Sequence, residues 1–439
     1  MTSTLSTDLC TFAHDLRFAD LPASAREATA TTTGNALCLM AGAARHPAVE
    51  TAVTALGALS GPDAVPLLGR GYRLAGTWAA LAHGIAGHVE DFDDTHPPTI
   101  VHPGAPVVAA ALSSAVRTGA SGADLLAAVA AGVEVALRVG LALVPDALDR
   151  GWHLTGIAAP VGAAVAAGRL LGLDPDRQRA AIGLAATQSA GLIEALGTMA
   201  KPLQPGKAAA AGFEAAVLAE HGLDGPAAPV EGRRGLLALH AGRVDGAAAA
   251  LDGLGERWEL ERNEIKPYAC GVVSHALIDV AAEAGRRFPE PPSAVRLTVN
   301  PFVLVAMGRT APANSLAAKF SATHCFAVGY RYGHADPAQF ADDVVTAPEV
   351  VALRDRCELV ADESVPRYGV RAEVTAADGE VWRAERDRPA VLDAAGVRRK
   401  ALALTEPVLG ERAAAFVDLA FDPAAGSVAG LLAAGVPGA

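Results

Sequence analysis

Between Gly87 and Gly104 the chain reads GHVEDFDDTHPPTIVHPG, with four acids and three histidines set into a sequence otherwise rich in alanine, glycine and leucine. Carboxylates and imidazoles at this density can move protons, and the same groups can ligate Mg, Mn, Zn or Fe. No HxxxH or HxH pair accompanies them, however. The DFDD string also matches the DxDD pattern of alkene-protonating class II terpene cyclases. Such sites need aromatic walls to hold a carbocation, and aromatics make up only 5% of this chain. Acid–base chemistry is therefore the leading expectation from the residues, with a metal site left open. Read as one helix from Trp78 to Thr95, the segment places Gly84, His88, Asp91 and Thr95 on a single face. Pro97 and Pro98 end that helix and His102 leads into the next, so Asp91, Thr95 and His102 converge where a helix end meets a loop. Acids at a helix C-terminus oppose the helix dipole, and a local cost of this kind points to function. Asp93, Asp94 and His96 are assigned to support of the turn.

Three further polar islands lie in apolar surroundings. RGWHLTGIAAP carries His153 just before a helix. GTMAKPLQPGKAAAAG carries Lys201 and Lys207 around a Pro/Gly turn that opens a helix, a geometry suited to carboxylate or phosphate. It is not a P-loop, because Ala208 follows Gly206-Lys207 and the upstream glycine is missing. EIKPYACGVVSHALIDV carries Lys266, Tyr268, Cys270 and His275, and GRTAPANSLAAKFS then offers Arg309 and Lys319 near a helix start. Cys270 has no His/Asn context of known spacing that would make it a nucleophile.

These groups need elements to position them. From about Asp8 to Gly255 apolar residues recur at three and four in Ala-rich runs, which predicts helices over Ala105–Arg117, Gly122–Leu143, Ala158–Leu171, Pro175–Leu192 and Ala208–His221. Ser121 with Asp124, and Asp174 before Pro175, are N-cap signals. Glu134 and Arg138 stand i, i+4 inside the most apolar of these runs and mark it as a buried helix, with no membrane span. After Trp258 the pattern changes. Val295, Leu297 and Val299 alternate with polar residues, and VRAEVTAADGEVWRAE holds two alternating runs around Asp378-Gly379, a hairpin signal. Helices over Ser274–Arg287, Ala317–Ala327 and Pro337–Ala341 lie among these strands. The fold class is mainly α. A large helical domain spans 1–261, with 398–439 packing back on it, and a smaller α+β lid spans 262–397, leaving a cleft between them.

A formal charge of −12 argues against a nucleic-acid partner. Asp8 and Asp15 stand where a signal peptide needs an apolar core. The five cysteines are scattered with no CxxC, which argues against a cysteine-bound zinc or iron–sulfur cluster and suits a reduced, cytoplasmic setting.

Taken together, HVEDFDDTHPPTIVHPG, GWHLTG, AKPLQPGKAAAAGFEAAVLAEHGLDGP, IKPYACGVVSHALIDV and GRTAPANSLAAKFS resemble, in order, the MmgE/PrpD family. Its members include 2-methylcitrate dehydratases, cis-aconitate decarboxylases and iminodisuccinate epimerases. The resemblance implies a helical domain with an α/β lid, a homodimer, a metal-free site between the domains, and small di- or tricarboxylate substrates. By motif match the active-site positions fall on Asp91, Thr95, His102, His153, Lys201 and His275. Lys201 and His275 are suited to gripping carboxylates, with Lys207, Lys266 and Arg309 as further substrate-binding candidates. His102 and His153 are candidates for general base and acid, in either order, and Asp91 and Thr95 for orienting a histidine or taking a substrate hydroxyl. Two departures stand out. Gln204 occupies a position that is His in decarboxylases and several relatives, and Ala306-Met307-Gly308 precedes Arg309 where the decarboxylase pattern has Tyr and Asn. The leading expectation is a cofactor-independent hydro-lyase. An epimerase or decarboxylase of a related acid, and a non-catalytic carboxylate-binding homologue, are the alternatives.

Overall fold

The computed structural model describes residues 4–61 and 65–437. Its centre is a stack of alanine-rich helices, Ala23–Gly42, Gly76–His88, Gly104–Thr118, Gly122–Leu143, Leu154–Leu170 and Ala200–Glu220. Small side chains bring these helices unusually close. A Cβ added at Gly84 would lie 2.6 Å from the Gly206 Cα, and one at Gly132 would lie 2.6 Å from the Gly162 carbonyl oxygen. The first of these crossings presses Gly76–His88 against Ala200–Glu220, which brings His88 and Lys201 into one neighbourhood. Only glycine permits it.

Gly122–Leu143 is the one described helix long and apolar enough to cross a membrane, but it is a core helix, 94% buried over its most apolar window. The expected Glu134–Arg138 pair closes at 2.6 Å inside it. Arg138 spends its remaining N–H groups on the carbonyls of Ala250, Asp252, Gly253 and Arg257. Glu134 accepts the Glu259 and Leu260 backbone N–H groups. A fully hydrogen-bonded buried pair thus pins the 250–260 segment to the core, as buried charge requires. Ser121 and Asp124 form a reciprocal capping box at the start of the helix, and Asp174 caps Pro175–Ala186.

Strands Cys357–Ala361, Ala294–Val299, Val370–Thr375 and Val381–Arg386 form one sheet in that order, the first pair parallel and the others antiparallel. Val295, Leu297 and Val299 face inward with Val370, Ala372 and Val374, against helices His275–Arg287 and Ala322–Tyr332, whose inner faces share the same apolar core. The hairpin around Asp378-Gly379 is present, with Gly379 at φ +91°. Helices Ala394–Leu409, Ala413–Phe421 and Val428–Gly435 return to the first core through Ala401, Leu409, Phe416 and Leu431.

Several expected elements differ: the helix expected over Pro175–Leu192 ends at Ala186, and the one expected over Ala317–Ala327 is interrupted between Ala318 and Ala322. The segment Trp78–Thr95 is not one helix: it stops at His88, and Asp91 takes a left-handed φ of +50° that no continuing helix allows. Conversely, KPLQPGK does not form a turn before a helix but lies within the helix that begins at Ala200. Pro202 costs nothing there, because first-turn N–H groups have no intrahelical partner.

Candidate active site

The loop after His88 is held from three sides. Asp94 and Thr95 pair antiparallel with Ile265 and Glu264, and the Lys266 N–H donates to the Asp93 carbonyl at 3.0 Å. Lys319 donates to the Glu90 carbonyl at 2.8 Å and to its carboxylate at 3.0 Å. Lys400 donates to the carbonyls of Phe92 and Lys266. His96 is fixed by Thr99 at 2.9 Å and by Glu259 at 3.1 Å, so the loop is tied through Glu259 to the buried Glu134–Arg138 pair. Asp94 accepts from the Gly104 N–H at 3.0 Å and from Asn263 at 2.6 Å. Burial and the neighbouring Asp93 raise its carboxyl to about 7.

This scaffold presents a dense titratable cluster. Asp91 Oδ1 accepts from Lys201 Nζ at 2.7 Å and from Lys266 Nζ at 2.5 Å. Burial favours the neutral acid, but the two ammonium groups override it and hold Asp91 well below the usual carboxylate range. Lys266 also lies 3.4 Å from Asp93 Oδ1. Burial disfavours its charge, yet Asp91 and Asp93 together raise its pKa, so it stays an ammonium. Lys201 shifts the other way, because burial and the Lys266 charge outweigh Asp91. His88 Nδ1 meets Asp93 Oδ2 at 2.5 Å.

His102 Nδ1 lies 2.7 Å from the Asp94 carbonyl and 3.0 Å from Thr95 Oγ1. A carbonyl only accepts, so the ring hydrogen sits on Nδ1 and Nε2 keeps its lone pair. Burial, then the Lys266 charge, pushes His102 well below the ordinary histidine range. Burial, then Lys201, does the same to His153. The His102 and His153 rings lie parallel within 24°, with centroids 6.4 Å apart. Asp91 Oδ2, His88 Nε2 and His153 Nδ1 are buried and have no partner within the protein.

Asp91, His102, His153, Lys201 and Lys266 open together onto a cleft between the helical stack and the sheet-bearing half. Thr95 stands behind His102 and does not line the cleft. The structure does not bring the other candidates there. Lys207 points outward, because six residues of helix, about 1.7 turns, turn it away from Lys201 onto an exposed face. Arg309 is exposed and donates to the Leu196 carbonyl at 2.8 Å. His275 is fully buried with Nε2 3.2 Å from the Cys270 carbonyl and its ring edge-on to Tyr268, outside the cleft lining. Asp93, assigned to the turn, sits instead inside the cluster, 3.9 Å from His102 Nδ1 as well as bonded to His88. Gln204 grips both backbone groups of Leu192 and takes no place in the cleft.

His88, Asp91 and His102 also offer three ligand atoms within 4.8 Å of one another. A divalent ion there would stand beside two ammonium groups already bound to Asp91, and like charges at that range oppose it. This donor set fits a metal poorly.

Comparison with known proteins places this cluster in a lineage. Residues 7–246 match the MmgE/PrpD N-terminal domain and residues 268–421 the MmgE/PrpD C-terminal domain. The cis-aconitate decarboxylase of Aspergillus terreus is 29% identical over 375 residues, covering 79% of this chain and 76% of that protein. The Mus musculus cis-aconitate decarboxylase is 33% identical over 233 residues, 51% of this chain and 47% of that one. The cis-aconitate decarboxylase-like protein oryM of Aspergillus oryzae is 27% identical over 302 residues, 65% and 62% respectively. With both halves matched in order across the stack, the sheet and the cleft between them, the chain belongs to the MmgE/PrpD family.

Proposed function

We propose that the protein is a lyase acting on a small di- or polycarboxylate, and that its reaction is the elimination of water from a hydroxy acid. The observation that carries this reading is the geometry of His102: Nδ1 lies 2.7 Å from the Asp94 carbonyl, which can only accept, and burial beside the Lys266 charge disfavours a charged ring. A neutral imidazole with a free Nε2 is a base ready to take a proton from carbon. In the elimination, His102 Nε2 removes the proton α to a carboxylate, and the charge that moves onto that carboxylate is met by the Lys266 ammonium. The C–O bond then breaks, and Lys201, whose lowered pKa makes it a better donor than an ordinary lysine, gives a proton to the departing hydroxyl. Water and an unsaturated acid result. Asp91, bonded to Lys201 and within 4.8 Å of His102 through its cluster, is placed to return the proton from imidazolium to amine. His153 lies on the same wall for a second carboxylate or the hydroxyl.

A second reading, decarboxylation, is favoured by the relatives, since those compared are named cis-aconitate decarboxylases or decarboxylase-like. It needs a proton delivered to carbon, which would fall to Lys201 and leave the neutral His102 without a role as base. Incubating the protein with hydroxy di- and tricarboxylates and, separately, with an unsaturated tricarboxylate, while following ultraviolet absorbance of a conjugated acid and release of CO₂, separates the two. Absorbance without CO₂ supports elimination. CO₂ from an unsaturated tricarboxylate refutes it.

A further inference from the structure

The polar cluster occupies one wall of the cleft only. The groups lining the rest are glycine or apolar, with Trp152, Ile193, Leu196, Phe302 and Val305 among them, while Phe320 lies under the Lys201 ammonium, 5.3 Å from ring centroid to Nζ. This apolar lining draws on both halves of the molecule, and the Arg309 bond to the Leu196 carbonyl ties the two contributing segments together. Val305, which lines the cleft, is itself 70% exposed, and Leu192 and Met199, on the segment that carries Ile193 and Leu196, are exposed too.

The charges tell against a highly anionic ligand. Lys201 and Lys266 are the only cationic residues lining the cleft among the described residues, and both are already paired with Asp91, Lys266 with Asp93 also. Three carboxylates would find two ammonium groups whose charge is largely offset. Citrate-like acids, small and charged at every end, would place a carboxylate against Trp152, Phe302 and Val305 with nothing to pair it, at the desolvation cost of an unmatched charge.

Building on the reading of the site as a carboxylate lyase, we propose that the substrate carries no more than two carboxylates and ends in an alkyl chain of several carbons, which lies along the Trp152–Phe302–Val305 wall. Its carboxylate end meets Lys201 and Lys266, and its reacting carbon faces His102.

The test uses the full-length protein with a series of 3-alkylmalates (methyl, butyl, hexyl), with malate and citrate as references. Binding is followed by calorimetry and turnover by formation of the unsaturated acid. Burying methylenes on such a wall tightens binding about fourfold for each, so butyl should exceed methyl by roughly sixtyfold in affinity and kcat/KM. Val305→Asp, and Ile193→Ser as a second variant, should shrink that butyl-to-methyl ratio severalfold. Affinity that is flat or falls with chain length, with citrate preferred, overturns this proposal and leaves the lyase reading standing. Chain-length selectivity in binding without turnover supports it while refuting the lyase reading. If Val305→Asp keeps the ratio and instead splits an oligomer, the exposed Val305 face belongs to a second copy of the chain and the proposal falls.

Discussion

Replacing Asp91 with asparagine removes one negative charge from between two buried ammonium groups, 2.7 Å and 2.5 Å away. Asp91 is 2% exposed, Lys201 4% and Lys266 2%, so solvent screens little of the loss. Taking away one partner of such a buried arrangement costs about 3–5 kcal/mol, a large share of the 5–15 kcal/mol typical of folded proteins. The backbone does not add to it, because asparagine tolerates the left-handed φ of +50°. Asp91→Ala lacks that tolerance and should be about 1 kcal/mol worse still. The pH dependence follows from the signs. The depressed pKa of Asp91 gives wild type a stability that is present above the ordinary carboxylate range and lost as pH falls through the native value. In Asp91→Asn, Lys201 loses its carboxylate partner while Lys266 keeps Asp93; the already lowered native pKa of Lys201 then falls further below its unfolded value, so the variant recovers as pH rises toward the usual lysine range. Urea unfolding followed by circular dichroism at acid, neutral and alkaline pH reads this directly. The gap between wild type and Asp91→Asn should be widest near neutrality and narrow on either side. A variant that unfolds at the wild-type midpoint at neutral pH would refute the view that Asp91 neutralises the two lysines.

Other perturbations separate site from scaffold. Because the base must be neutral and His102 is held low, kcat/KM should persist well below the ordinary histidine value of about 6.5, falling only once pH drops through the depressed pKa. The alkaline limb should lie below the ordinary lysine value of about 10.4, since Lys201 must stay protonated; a pH–rate profile with limbs at the unperturbed values would contradict both. Lys207→Ala should leave kcat and KM unchanged, as the side chain points away from the cleft. Arg138→Ala should cost about 3–5 kcal/mol by stranding the buried Glu134, read as a lower urea midpoint.

Much of the fold was legible because it rests on short-range rules. The helix Gly122–Leu143 carried its own cap, its own ion pair and an unbroken apolar pattern, and it formed with the expected ends. The strands at Val295 and the hairpin at Asp378-Gly379 carried period-two alternation and a turn glycine. What failed depended on tertiary context. Strand Cys357–Ala361 has half-buried and exposed residues in no clean alternation, being an edge strand paired on one side only. The end of the helix at His88 was hidden because nothing in HVEDFDD breaks a helix. Its loop is imposed by Lys201, Lys266 and Lys319 arriving from distant segments. The same blindness misplaced residues. Lys201 and Lys207 share a motif, but helical geometry turns only one of them inward. Asp93 lies inside the cluster because the loop, not a helix, sets its direction. The density of acids and histidines was the signal that could have included it. His275 belonged to an island rich in polar groups, and its ring is consumed by packing on Tyr268. Nor could the apolar wall be read in advance, since its members are spread from Trp152 to Phe320 and meet only in the folded chain.

The central claim is that His102 takes a proton from a carbon next to a carboxylate and that water then leaves. It is tested most directly by offering wild type and His102→Gln a hydroxy dicarboxylate in D₂O and following product and deuterium by NMR. The account predicts an unsaturated acid from wild type, no CO₂, and turnover reduced by about 10²–10⁴-fold in His102→Gln with binding retained. Deuterium entering the substrate at Cα with no unsaturated product, or full activity in His102→Gln, would contradict it.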